Sequence, residues 1–207
     1  FAGLNPDAEP FFEKTYYEYE GFPIYELKAA GSFEKFKVFA ATNNVAVIDV
    51  PLKPTLELDI DEIKRVMAEK KPKLVFVCSP NNPTGSVYTL ENLKALVEVL
   101  KKHPQVVVLA DEIYQHILYT GKHETLAQFP ELEDRLIIIN GVSKAYAMTG
   151  YRIGWLACHD KDLITAVKRL QGQTISCATT IAQKAAEAAY TGPQECVEEM
   201  RQAFERR

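Results

Sequence analysis

The sequence predicts an α/β fold, a mostly parallel β-sheet flanked by helices. Three observations carry this prediction. Short apolar runs rich in β-branched residues recur at Leu74–Cys78, Val106–Ala110 and Leu136–Ile139. Segments with apolar residues at helical spacing separate them. Clusters of turn-forming residues follow the runs without dividing them, the strongest being Ser79-Pro80-Asn81-Asn82-Pro83-Thr84-Gly85. Continuous apolar strands are the mark of a sheet covered on both faces, and strands alternating with amphipathic helices build parallel sheets.

Taken in order, the elements begin to be legible at about Asp59. Asp59–Lys70 carries Ile60, Ile63, Val66 and Met67 on one helical face, and Leu74–Cys78 is a buried strand ended by the turn cluster. Leu90–Lys102 is an amphipathic helix with the stripe Leu93, Leu96, Val97 and Leu100. Val106–Ala110 and Leu136–Ile139 are the next buried strands, and Ile153–Cys158 is a shorter fourth. Helices follow at Lys161–Leu170 (Leu163, Ile164, Val167, Leu170), around Thr180–Tyr190, and from about Gln194 onward. Residues 1–58 are less legible: Tyr16, Tyr17 and Tyr19 cluster, and Val45–Val50 is a candidate strand.

The bulk composition fits one domain over residues 1–207. The chain is 47% apolar and 25% charged with net charge −4, far from a disordered composition. No Lys/Arg block forms a one-sign face, so neither a nucleic acid nor an anionic membrane is an expected partner. The apolar runs are strand-length and too short to span a bilayer. Four scattered cysteines without a C-x-x-C pair suit a cytoplasmic protein with reduced thiols. His103, His116, His123 and His159 show no metal-ligand spacing, so no metal site is expected.

In parallel sheets, ligands bind beyond the carboxyl ends of the strands. That directs attention to Ser79–Gly85, Asp111–Tyr114 and Asn140–Lys144. Each segment is ambiguous alone. Asn82-Pro83-Thr84-Gly85 reads equally as a plain turn. Asp111-Glu112 suits the acidic end of a nucleotide-hydrolase strand, but the sequence has no G-x-x-x-x-G-K-[ST] loop. Ser143-Lys144 is open to a reading as a solvated loop, and Arg152 as an ordinary surface arginine.

Together and in order, the strings SPNNPTG, ADEIY, NGVSKAYAMTGYRIGW and LQGQTISCATTIAQKAAEAA resemble the fold-type I aminotransferases, nearest to the bacterial aspartate aminotransferase branch. The resemblance runs from about Asp59 to Arg207. It implies the large, pyridoxal-phosphate-binding domain of that family. Lys144 would then be the catalytic amine that condenses with the cofactor aldehyde and later moves the substrate proton. Asp111 would pair with the ring nitrogen, and Asn82 and Tyr114 with the ring oxygen. Arg152 would bind the phosphate as a planar fork of donors. Tyr16, in the string TYYEY, matches the segment whose aromatic stacks on the ring. Ser143 either touches the phosphate or caps the turn. Many relatives carry a hydroxyl residue three positions before the lysine, where this chain has Gly141.

The resemblance also has gaps. Nothing upstream of Tyr16 resembles the family's glycine-rich phosphate segment, residues 21–42 look like an insertion, and the sequence stops before the small domain expected to clamp the substrate carboxylate. The expectations that follow are transfer of an amino group from an amino acid, aspartate-like by resemblance, to a 2-oxo acid, by a homodimer, with weak cofactor binding and poor turnover. An aromatic or broad-range amino acid competes with aspartate as substrate. The alternatives in function are a carbon–sulfur β-lyase using the same residues, a catalytically silent fragment or binding module, and a nucleotide-dependent enzyme of similar sheet topology, disfavoured by the absent phosphate loops.

Overall fold

The computed structural model of the chain describes residues 24–26, 40, 43–82 and 84–207. Tyr16 therefore lies outside the described residues. Five strands form one sheet in the order β1-β2-β3-β4-β5: β1 Ile24–Glu26, β2 Leu74–Cys78, β3 Val107–Asp111, β4 Leu136–Gly141 and β5 Gly154–Ala157. The first four run parallel; β5 pairs antiparallel with β4, Gly141 opposite Gly154. The described helices are α1 Ile60–Lys70, α2 Leu90–Leu100, α3 Lys161–Thr174, α4 Thr180–Thr191 and α5 Glu195–Arg206.

Local chemistry fixes the helix starts. Asp59 caps α1 by accepting from the Glu62 amide, and Thr89 and Asn92 form a reciprocal capping box at the start of α2. Asp160 and Thr179 cap α3 and α4 in the same way as Asp59. The end of α2 falls two residues short of the expected Lys102. The Arg135 guanidinium donates to the carbonyls of Leu100, His103 and Val106, at 2.9, 3.0 and 2.8 Å, and so satisfies the chain where it leaves the helix. In contrast, α3 runs past its last apolar stripe residue to Thr174 and tolerates Gly172 inside it, a cost of about 1 kcal/mol relative to alanine.

The core lies between one face of the sheet and α1 and α2. Ile63, Met67, Leu93, Leu96, Leu100, Val106 and Val108 are almost completely buried there, with Leu126 and Leu132 from 3-10 turns closing the rim. One expectation is corrected. Val45–Val50 makes only an isolated bridge at Asp49, not a strand, although Val50 is buried in the core. The stripe of α3 buries none of its residues, and Leu170 stands 40% exposed, because no described element covers it.

Candidate active site

Three loops meet at the carboxyl end of the parallel strands. The one after β2 is a tight turn. The Gly85 amide donates to the Asn81 carbonyl at 2.8 Å, and the Asn81 amide to the Ser86 carbonyl at 2.8 Å. Thr84 Oγ1 donates to Asn81 Oδ1 at 2.9 Å, and Gly85 takes a left-handed φ of 70° that glycine adopts without strain. Asn81 is buried as the hub of this turn, and Asn82 projects outward.

The loop after β3 supplies Asp111 and Tyr114. Burial alternates along β3, so Val108 and Ala110 face the core while Val107, Leu109 and Asp111 face the opposite side. Tyr114 Oη accepts from Asn82 Nδ2 at 3.0 Å, joining the first two loops. Burial pushes the Asp111 carboxyl above its ordinary range and the Glu112 carboxylate adds to that, against the opposing pull of the Ile113 amide and Lys144. Among the described residues the only hydrogen bond to this carboxyl is from the Ile113 amide, at 3.1 Å. A carboxylate kept ionised in such surroundings favours a cation set against it.

The third loop follows β4. Lys144 sits half-buried in a turn closed by the Tyr146 amide on the Val142 carbonyl. Its Nζ lies 5.5 Å from the centroid of the Tyr114 ring, a cation–π distance, and its charge is felt at Asp111. Because β5 runs antiparallel to β4, its start lies at this same end, and Arg152 two residues before it does too. The exposed Arg152 takes a left-handed φ of 53°, and its Nη1 donates to the Thr149 carbonyl at 2.8 Å within its own turn. Non-glycine residues in that conformation are strained and concentrate at functional sites.

The structure thus brings together four of the expected residues: Asn82, Asp111, Tyr114 and Lys144. Ser143 is half-buried beside Lys144 in the turn, and Arg152 is at the same end but turned to its own loop. Position 141 has a clear reason to lack a hydroxyl side chain. A Cβ there would stand 2.9 Å from the Gly154 Cα and 2.9 Å from the Ile153 carbonyl oxygen, so the β4–β5 contact requires glycine.

One residue the sequence reading passed over is Glu112, treated there only as part of an acidic pair. It is 6% exposed; Thr125 Oγ1 donates to its carboxylate at 2.7 Å, and His123 Nε2 lies 3.0 Å from it. The strand alternation through Val108 and Ala110 carried the signal, since it turns the next alternate position inward and a buried acid needs partners.

Comparison with known proteins agrees with this geometry. The family model "Aminotransferase class I and II" matches residues 28–207. The chain is 50% identical over 149 residues to an aspartate aminotransferase of Geobacillus stearothermophilus, covering 71% of this chain and 37% of that protein. It is 40% identical over 172 residues to an aspartate/prephenate aminotransferase of Nitrosomonas europaea, covering 82% and 43%. A crystal structure of the aspartate aminotransferase of Rhizobium meliloti superposes with a TM-score of 0.83 at 32% identity, covering 89% of this chain and 47% of that one. The chain therefore spans less than half the length of these relatives. The motifs, the mixed sheet and these matches agree: the chain belongs to the class I and II aminotransferases, of fold type I.

Proposed function

We propose that the chain binds pyridoxal 5'-phosphate at the carboxyl end of its sheet, through Lys144, and serves amino-group transfer from an aspartate-like amino acid to a 2-oxo acid. The observation that carries this is the convergence of the Lys144 amine, the partly buried Asp111 carboxyl and the Asn82–Tyr114 pair on one end of the sheet. The donor set fits the cofactor: an amine for its aldehyde, a carboxylate for its ring nitrogen, an amide and a phenol for its ring oxygen, and the Arg152 guanidinium for its phosphate. Ser143 stands beside the lysine as a second phosphate donor, and Tyr16 is proposed to stack on the ring. When bound, the cofactor supplies an electron sink for the carbon that loses its proton.

The protein's own residues do the rest. Asp111 holds a positive charge at the ring nitrogen, at the cost of its own desolvation. Tyr114 and Asn82 orient the ring oxygen, and the Tyr114 ring lies close enough to Lys144 to steady its cation. With cofactor and substrate bound, the Lys144 amine would carry a proton to and from the substrate α-carbon. The same reading makes residues 1–207 one cofactor-binding domain, working as a cytoplasmic homodimer; among the described residues no helix is long and apolar enough to cross a membrane. The names of the relatives favour aspartate as the amino donor.

The test is to add pyridoxal phosphate to the purified chain, reduce with borohydride, and locate the adduct by peptide mass spectrometry. The expected result is a phosphopyridoxyl group confined to Lys144 and absent from Lys144→Ala. Label scattered over surface lysines, or none, overturns the proposal. Arg152→Met is expected to weaken cofactor affinity roughly 10- to 100-fold, in line with about 1.5–3 kcal/mol for a hydrogen bond to a charged group.

A further inference from the structure

We infer that Glu112 is a positioning residue for Asp111 and Tyr114, locked from behind the sheet by Thr125 and His123. The inference rests on the reading above that Asp111 and Tyr114 face the cofactor. Glu112 is the next residue after Asp111 and points the other way, into the core side of the sheet. Its backbone amide donates to the Ile139 carbonyl of β4 at 3.0 Å, so its main chain is tied to the neighbouring strand. Its side chain reaches forward instead, to Thr125 Oγ1 at 2.7 Å and His123 Nε2 at 3.0 Å. These contacts close the loop from 112 to 125, which carries Tyr114 and hence the contact to Asn82.

Three features distinguish this arrangement from ordinary packing. The neighbouring void is about 10 Å³, room for one water at most, so the carboxylate depends on protein partners. Neither ring nitrogen of the half-buried His123 makes a hydrogen bond within the protein, and its Nε2 stands 3.0 Å from the Glu112 carboxylate. An apolar side chain would fill such a place more cheaply than a buried charge. What the charge adds is direction, since its partners fix both ends of the loop relative to β3. Site groups displaced by about 1 Å lose much of their effect.

The test uses the 207-residue chain and three variants, Glu112→Ala, Thr125→Val and Glu112→Gln. Hydrogen exchange is measured without cofactor; then affinity for pyridoxal phosphate and visible circular dichroism at saturation, which reports how the bound ring is held. Expected are faster exchange confined to residues 111–125 in Glu112→Ala and Thr125→Val, about tenfold weaker affinity, and a reduced dichroic band per bound cofactor. Glu112→Gln, which keeps an acceptor for Thr125, recovers most of each loss. Unchanged exchange, affinity and dichroism in a folded Glu112→Ala overturn the inference, as does a Glu112→Gln as impaired as Glu112→Ala. If Glu112→Ala does not fold, Thr125→Val decides by the same readouts. A parent chain with no adduct at Lys144 is a failure of the function proposal, and the exchange result, obtained without cofactor, stands apart from it.

Discussion

At Asp111 a single side chain shows the conflict between stability and function. Burial is the main cause that raises its pKa, so the fold disfavours its ionised form. Below the ordinary value of 3.8 the carboxyl is protonated in both folded and unfolded chains and nothing is lost. As the pH rises from there through the folded value, the unfolded chain ionises first, and stability falls to a level it keeps at neutral pH. Asp111→Asn retains the acceptor for the Ile113 amide and removes the charge. It is expected to raise the stability of the cofactor-free chain at neutral pH by about 0.5–2 kcal/mol, with the gain vanishing below about pH 4, while cofactor affinity drops. Thermal melts at several pH values check it, and an Asp111→Asn chain less stable than the parent at neutral pH contradicts it. Arg135 is the opposite case, a charge whose three carbonyl partners make it a structural cap. Arg135→Met leaves those carbonyls unpaired and should cost about 1–3 kcal/mol in urea unfolding, with no change in which lysine takes the cofactor label.

Among the elements, the pairing of β4 with β5 decides where Lys144 and Arg152 sit. The Gly141–Gly154 pair brings two backbones together with no room for a Cβ. Gly141→Ala must push the strands apart, and the turn that holds Lys144 begins at the next residue. The expected outcome is a loss of about 1–3 kcal/mol in stability together with a marked fall in labelling at Lys144. Gly150→Ala, where an added Cβ meets nothing within 4 Å, serves as the control.

Across the molecule, burial is uneven. The face covered by α1 and α2 holds nearly all of the fully buried large side chains, whereas α3 buries none and α4 only Ala182 and Ala186. Leu96→Ala, from a completely buried position, should therefore cost about 2–5 kcal/mol, and Val167→Ala on α3 well under about 1.5 kcal/mol, as chemical denaturation would show. Equal costs at the two sites would mean that the α3 stripe is covered in solution.

The strand and helix alternation from Asp59 onward is legible along the chain, because apolar periodicity and turn chemistry are local properties. The order of Asn82, Asp111, Tyr114 and Lys144 along the chain also directed the search to one end of the sheet, since that order carries the family resemblance. The rest depends on which surfaces meet in space. Val45–Val50 has strand-like residues, but a strand needs a partner edge, and only Asp49 makes a bridge. The α3 stripe has helical spacing, yet spacing cannot say whether a surface lies opposite it. Glu112 is the clearest case: Asp111 and Glu112 are adjacent acids in the chain. Strand alternation sends one toward the site and the other into the core, where Thr125 donates a hydrogen bond to it and His123 stands alongside.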